Sequence, residues 1–105
     1  MLRSTLPATC LSLLLIAPAL AGSPSEDRGK TFALHNCARC HSIDRASQSS
    51  LKIAPPFRNL HKRYPIETLA EALAEGIQTG HPTMPEFQLE PDQIRDLLSY
   101  LKSLE

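Results

Sequence analysis

Cys37-Ala38-Arg39-Cys40-His41 is the stretch of this chain best equipped for chemistry. Two thiols three residues apart, followed at once by an imidazole, have the spacing that attaches a c-type haem. On a helical turn, positions three apart share a face, so Cys37 and Cys40 can both point at one edge of a flat macrocycle. Each thiol can then add to a vinyl group and form a thioether, and His41 can aim a neutral imidazole at the iron. The alternatives are a half zinc site, a dithiol redox pair or a plain disulfide. Zinc would need two further ligands at a matching spacing, and no second C-x-x-C exists. A redox dithiol belongs beside a strand-helix-strand pattern, which this sequence does not show.

An iron held by one histidine has a second axial position to fill. Met84 is the only methionine after Met1, in the run Gly80-His81-Pro82-Thr83-Met84-Pro85-Glu86-Phe87, whose prolines keep the backbone extended. A lone Met is usually core filler. A rigid, apolar-flanked thioether nevertheless suits iron, favours the ferrous state and raises the reduction potential. His81 is the rival ligand, while His35 and His61 read as surface or minor core residues. Ala54-Pro55-Pro56-Phe57 adds a stiff backbone whose carbonyl can accept a hydrogen bond from His41 Nδ1–H and fix its tautomer. Phe57 would then pack on the macrocycle. An ordinary proline-rich turn with a core Phe is the other reading.

Three helices are expected to position these groups. Ser23-Pro24-Ser25-Glu26 has the form of a capping box with Pro at the first helical position, starting a helix over residues 24–36 that leads into the Cys turn. Gly29 inside that helix costs about 1 kcal/mol relative to Ala, a cost explained if another helix crosses closely there. Residues 42–65 sustain no period and read as a long functional loop walling the proximal side. Ile66, Leu69, Ala70, Leu73 and Ala74 recur at helical spacing, with Gly76 as the stop. Pro91 opens the last helix, with Ile94, Leu97, Leu98, Leu101 and Leu104 on its apolar stripe and Tyr100 on its flank, placed to meet Gly29 and Phe32. Glu90 is a poor N-cap, which Gln93 can partly compensate.

Composition bounds the rest. The 105 residues carry 11 basic and 11 acidic side chains, two Tyr, three Phe and no Trp. So little aromatic material makes a small core, and a covalently held porphyrin would supply the missing apolar bulk. Residues 1–21 read as a secretory signal peptide: Arg3, an apolar centre from Leu11 to Ile16, and the small-residue pattern Ala19-Leu20-Ala21. That apolar stretch holds Pro7 and Pro18 and falls short of the ~20 residues that span a bilayer, so cleavage is favoured over an uncleaved anchor. The expected mature domain is residues 22–105, with Cys10 lost alongside the leader. Its charges are unevenly spread. Residues 37–63 hold Arg39, Arg45, Lys52, Arg58, Lys62 and Arg63 against Asp44 alone, whereas residues 64–96 hold seven acidic residues against Arg95 alone.

The ordered set Cys37-x-x-Cys40-His41, Ala54-Pro55-Pro56-Phe57, Met84-Pro85 and a terminal Leu/Tyr helix resembles a class I cytochrome c of the small bacterial periplasmic type. The resemblance spans essentially all of residues 22–105. It implies an all-α fold of three to four helices around one covalent haem c, the first and last crossing at right angles. It implies His41 and Met84 as axial ligands, the Pro55 carbonyl on His41, and one exposed haem edge for electron transfer. Ala54 departs from the Gly that many members place before this Pro. Propionate partners do not carry over from the resemblance, which leaves Arg58 and Tyr64 as the candidates for that role. The function so implied is a monomeric, periplasmic one-electron carrier rather than an enzyme. The uneven charges lead to the expectation that redox protein partners dock on the basic side near Arg39, the alternative being that both charge clusters are merely solvated faces. A haem ligand-binding protein and a haem subunit of a periplasmic dehydrogenase or oxidase are the other readings.

Overall fold

The structure, a computed structural model, describes residues 1–15, 22–78 and 83–105. The expected cleavage pattern Ala19-Leu20-Ala21 and the rival ligand His81 lie outside the described residues. Helix α1 (Pro24–Asn36) begins as its sequence directs. Pro24 occupies the first turn, where no N–H is needed, and Ser23 Oγ accepts the Glu26 N–H at 3.2 Å. Such a cap contributes about 1 kcal/mol. Glu26 and Asp27 sit at the positive end of the helix and His35 at the negative end.

Helix α3 (Pro91–Ser103) also starts on a proline. Gln93 Oε1 accepts the Glu90 N–H at 3.0 Å, the compensation expected for a weak cap. Ile94, Leu97, Tyr100 and Leu101 are buried along one stripe, continued past the helix end by Leu104, while Leu98 is half-buried at its edge. The two helices cross where α1 has no side chain. A Cβ on Gly29 would lie far inside contact distance of the Asp96 carbonyl oxygen and 2.9 Å from Tyr100 Cβ. Glycine here is a packing requirement. Beside the crossing, Arg28 Nε and Nη2 donate to the two Asp96 carboxylate oxygens at 2.8 and 3.1 Å, and Ser25 Oγ donates at 2.7 Å. These partners hold the buried Asp96 carboxyl below the usual carboxylate range, the Arg28 hydrogen bond contributing most.

The stretch over residues 42–65 is not without regular structure, contrary to expectation. A 3₁₀ helix covers Phe57–Lys62 and buries Phe57 and Leu60. Side chains three apart eclipse in this helix, so two apolar residues suffice to seat one short piece on the core. The helix expected to start at Ile66 is divided likewise: a 3₁₀ turn at Ile66–Thr68, then α2 (Leu69–Glu75). Thr68 Oγ1 donates back to the Pro65 carbonyl at 2.7 Å, competing with α-helical pairing at that turn. Gly76 ends α2 at φ 107°, a conformation that favours glycine. The segment carrying Met84 then returns along α2, pinned by Leu89 N–H to Leu73 O at 2.8 Å and Ile77 N–H to Phe87 O at 3.0 Å. Among the described residues there is no strand, and the fold is all-α.

Candidate haem site

The Cys turn grows out of the end of α1. Cys37 and Ala38 N–H both bond to Ala33 O, at 2.8 and 3.0 Å, and Cys40 and His41 N–H both bond to Cys37 O, at 3.2 and 3.0 Å. Four hydrogen bonds therefore hold the two thiols and the imidazole on one tight turn. Both thiols are free and half-buried. Burial pushes the Cys37 thiol up to about 11, so it is neutral near pH 7 and unlike the low-pKa thiolate of a redox dithiol.

Cys37, Cys40 and His41 line a cavity of about 550 Å³ that reaches all three α-helices. Leu60, Leu73, Ile77, Phe87, Leu97 and Leu101 supply much of its apolar wall. Clefts that hold small ligands measure about 300–1,000 Å³. A flat, largely apolar group joined to the two thiols fits both the volume and the donor set.

His41 Nδ1 lies 2.8 Å from Pro55 O. A carbonyl can only accept, so Nδ1 carries the proton, and in the neutral imidazole Nε2 then keeps its lone pair. The Phe57 ring packs beside it, centroids 5.0 Å apart and planes tilted by 43°. Met84 is half-buried and lines the same cavity, as do Pro85 and Phe87. The structure thus brings Cys37, Cys40, His41, Pro55 and Met84 to one cavity.

Arg58 is placed elsewhere. Its guanidinium donates to Ser47 O at 2.7 Å and Ser42 Oγ at 3.1 Å, outside the cavity lining, whereas Tyr64 does line it. Sequence reasoning missed several lining residues, among them Leu51, Ile53, Leu60 and Ile77, and read His35, which also lines the cavity, as a surface or minor core residue. Leu51 and Ile53, two apolar residues stranded in a polar stretch, were the available signal. They remain 37% and 55% exposed at the cavity.

Fold and site together define a helical protein wrapped around a macrocycle that its own cysteines attach. Residues 26–105 match the cytochrome c family model, and the chain belongs to that family as a class I c-type cytochrome. It is 34% identical over 89 residues to a cytochrome c-553-like protein of Synechocystis sp., covering 85% of this chain and 78% of that protein. No solved structure gives a significant match. The chain accordingly carries covalent haem c on Cys37 and Cys40 and functions in electron transfer. The haem supplies a reversible one-electron couple; the protein supplies attachment, orientation and an apolar enclosure.

Proposed function

We propose that this cytochrome is an exported, mobile one-electron carrier whose iron is held by His41 and Met84. The observation that carries the reading is the pairing at one cavity of an imidazole with its Nε2 free and the thioether of Met84. A second axial ligand keeps small molecules off the iron and leaves electron transfer as its main chemistry. The Pro55 carbonyl draws on the Nδ1 proton and makes His41 a better donor.

Redox partners dock, in this proposal, on the basic side near Arg39. Arg39 and Arg63 are exposed and line the cavity that encloses the haem, where Leu51 and Ile53 add apolar contact area. Export is supported by the leader pattern and by Leu2, Leu6, Leu11, Leu13, Leu14 and Leu15, which all stay exposed. Among the described residues, no helix is long and apolar enough to cross a membrane.

The oxidised protein is expected to show low-spin iron with a red-region sulfur-to-iron band, and Met84→Ala to abolish that band and lower the potential. An unchanged spectrum and potential in Met84→Ala would contradict Met84 ligation. Rapid carbon monoxide binding by the unmutated ferrous protein would contradict a closed carrier.

A further inference from the structure

Ser42 is a buried polar residue standing directly after His41. A buried hydroxyl needs partners, and this one has two. Arg58 Nη1 donates to it at 3.1 Å, and Ser47 Oγ lies 2.9 Å away. The direction of the second contact follows from a third. Ser47 Oγ gives its single proton to Asp44 Oδ2 at 2.5 Å, because an ionised carboxylate can only accept. Ser42 must then donate to Ser47. Three hydrogen bonds run the same way, from a guanidinium through two hydroxyls to a carboxylate, and the end charges polarise both hydroxyls along that direction. Both ends are anchored. Asp44 Oδ1 accepts the N–H groups of Ala46 and Ser47 at 2.8 and 2.6 Å, and Arg58 Nη1 also donates to Ser47 O.

The same residues fasten the backbone beside the imidazole. Ser42 N–H donates to Ser49 Oγ at 2.9 Å, and Ser42 O accepts the Phe57 N–H at 2.9 Å. Residues 41–42 therefore meet residues 55–58 at three points: Pro55 O on the His41 ring, Phe57 N–H on Ser42 O, and Arg58 on Ser42 Oγ. One hydrogen bond alone would let the ring swing about its Cα–Cβ bond. Two further ties set the distance between the His41 backbone and the Pro55 carbonyl, so the ring bond forms in one geometry.

We propose that Arg58, Ser42, Ser47 and Asp44 form a directional hydrogen-bond relay that positions His41 by clamping residues 41–42 against residues 55–58. Ser42 and Arg58 are positioning residues: neither lines the haem cavity, and both act on the ring through the Pro55 carbonyl. The proposal rests on His41 as proximal ligand and is independent of what occupies the other side of the iron.

The test is deuterium exchange of His41 Nδ1–H in the reduced, haem-loaded protein, followed by NMR alongside the amides of Ala33 and Leu101 in the core. Ser42→Ala and Arg58→Gln are each expected to speed ring N–H exchange about tenfold or more, the worth of one charge-assisted hydrogen bond, with the two core amides unchanged. Ser42→Thr keeps the hydroxyl and is expected to keep the wild-type rate. The haem ring-current shift of the His41 protons, present in the same spectra, reports ligation separately from exchange. Ring exchange that is unchanged in both disrupting variants, or that rises only in step with the core amides, would overturn the proposal.

Discussion

The acceptor that orients His41 is a main-chain carbonyl, so no side-chain truncation at Pro55 removes it. This is why the role was legible in sequence: the Pro55-Pro56 pair announces a stiff backbone, and a carbonyl is present whatever the side chain. Arg58 was not legible in the same way. Its acceptors lie 11 and 16 residues away in an irregular stretch, where no periodicity says which polar groups meet. The partner at the far end of that network makes a prediction. Ser47, through its hydroxyl and then its N–H, the Ala46 N–H and the nearby Arg58 charge hold the Asp44 carboxyl down at about 2, from an ordinary 3.8. A folded-state value below the unfolded one means that the Asp44 contribution is complete above about pH 4 and is lost as pH falls through about 2. Denaturant unfolding across a pH series is expected to show wild type more stable than Asp44→Asn by a constant margin above pH 4, closing towards pH 2. A margin that does not change with pH would refute this assignment.

At the scale of elements, the long helices were readable because each has a start signal and a face. Ser23-Pro24 and Pro91 with Gln93 set the starts of α1 and α3, and both cap contacts formed. Even their crossing was readable, since an interior glycine in α1 needs a reason. The 3₁₀ pieces were not. Phe57 and Leu60 give only two apolar positions, too few to establish any period, and tertiary burial decides their conformation. The ion pair of Arg28 with Asp96 was likewise invisible, because it joins helices 68 residues apart in sequence. Gly29→Ala tests the crossing through its sign. In an open helix the substitution would stabilise by about 1 kcal/mol. Here the added methyl meets the Asp96 carbonyl, a backbone group that cannot rotate away, so destabilisation by about 1–3 kcal/mol is expected in equilibrium unfolding. A stabilised variant would mean that α1 and α3 do not approach this closely.

For the whole molecule, net charge says little. Loss of the leader would remove Arg3 alone among charged residues, leaving ten basic against eleven acidic side chains. The arrangement matters more. Glu67 is paired with Lys102, Asp96 with Arg28 and Asp92 with Arg95, which neutralises part of the acidic segment locally. Arg39 and Arg63 stand exposed at the cavity. A partner with an acidic patch would be steered to that side, and screening over about 8 Å at physiological salt would weaken the steering. Electron transfer to such a partner is expected to slow with ionic strength, and Arg39→Glu to slow it more than Glu71→Lys. Salt-independent rates with equal effects of the two substitutions would contradict the proposed docking side.

Everything argued at the smaller scales depends on a fold closed around a macrocycle that Cys37 and Cys40 hold covalently. The most direct measurement is the intact mass of the purified chain after denaturation and acid–acetone extraction. The account predicts the mass of residues 22–105 plus one haem, and sharply reduced holoprotein yield for Cys37→Ser or Cys40→Ser. A bare polypeptide, with all haem recovered in the organic phase, would contradict it.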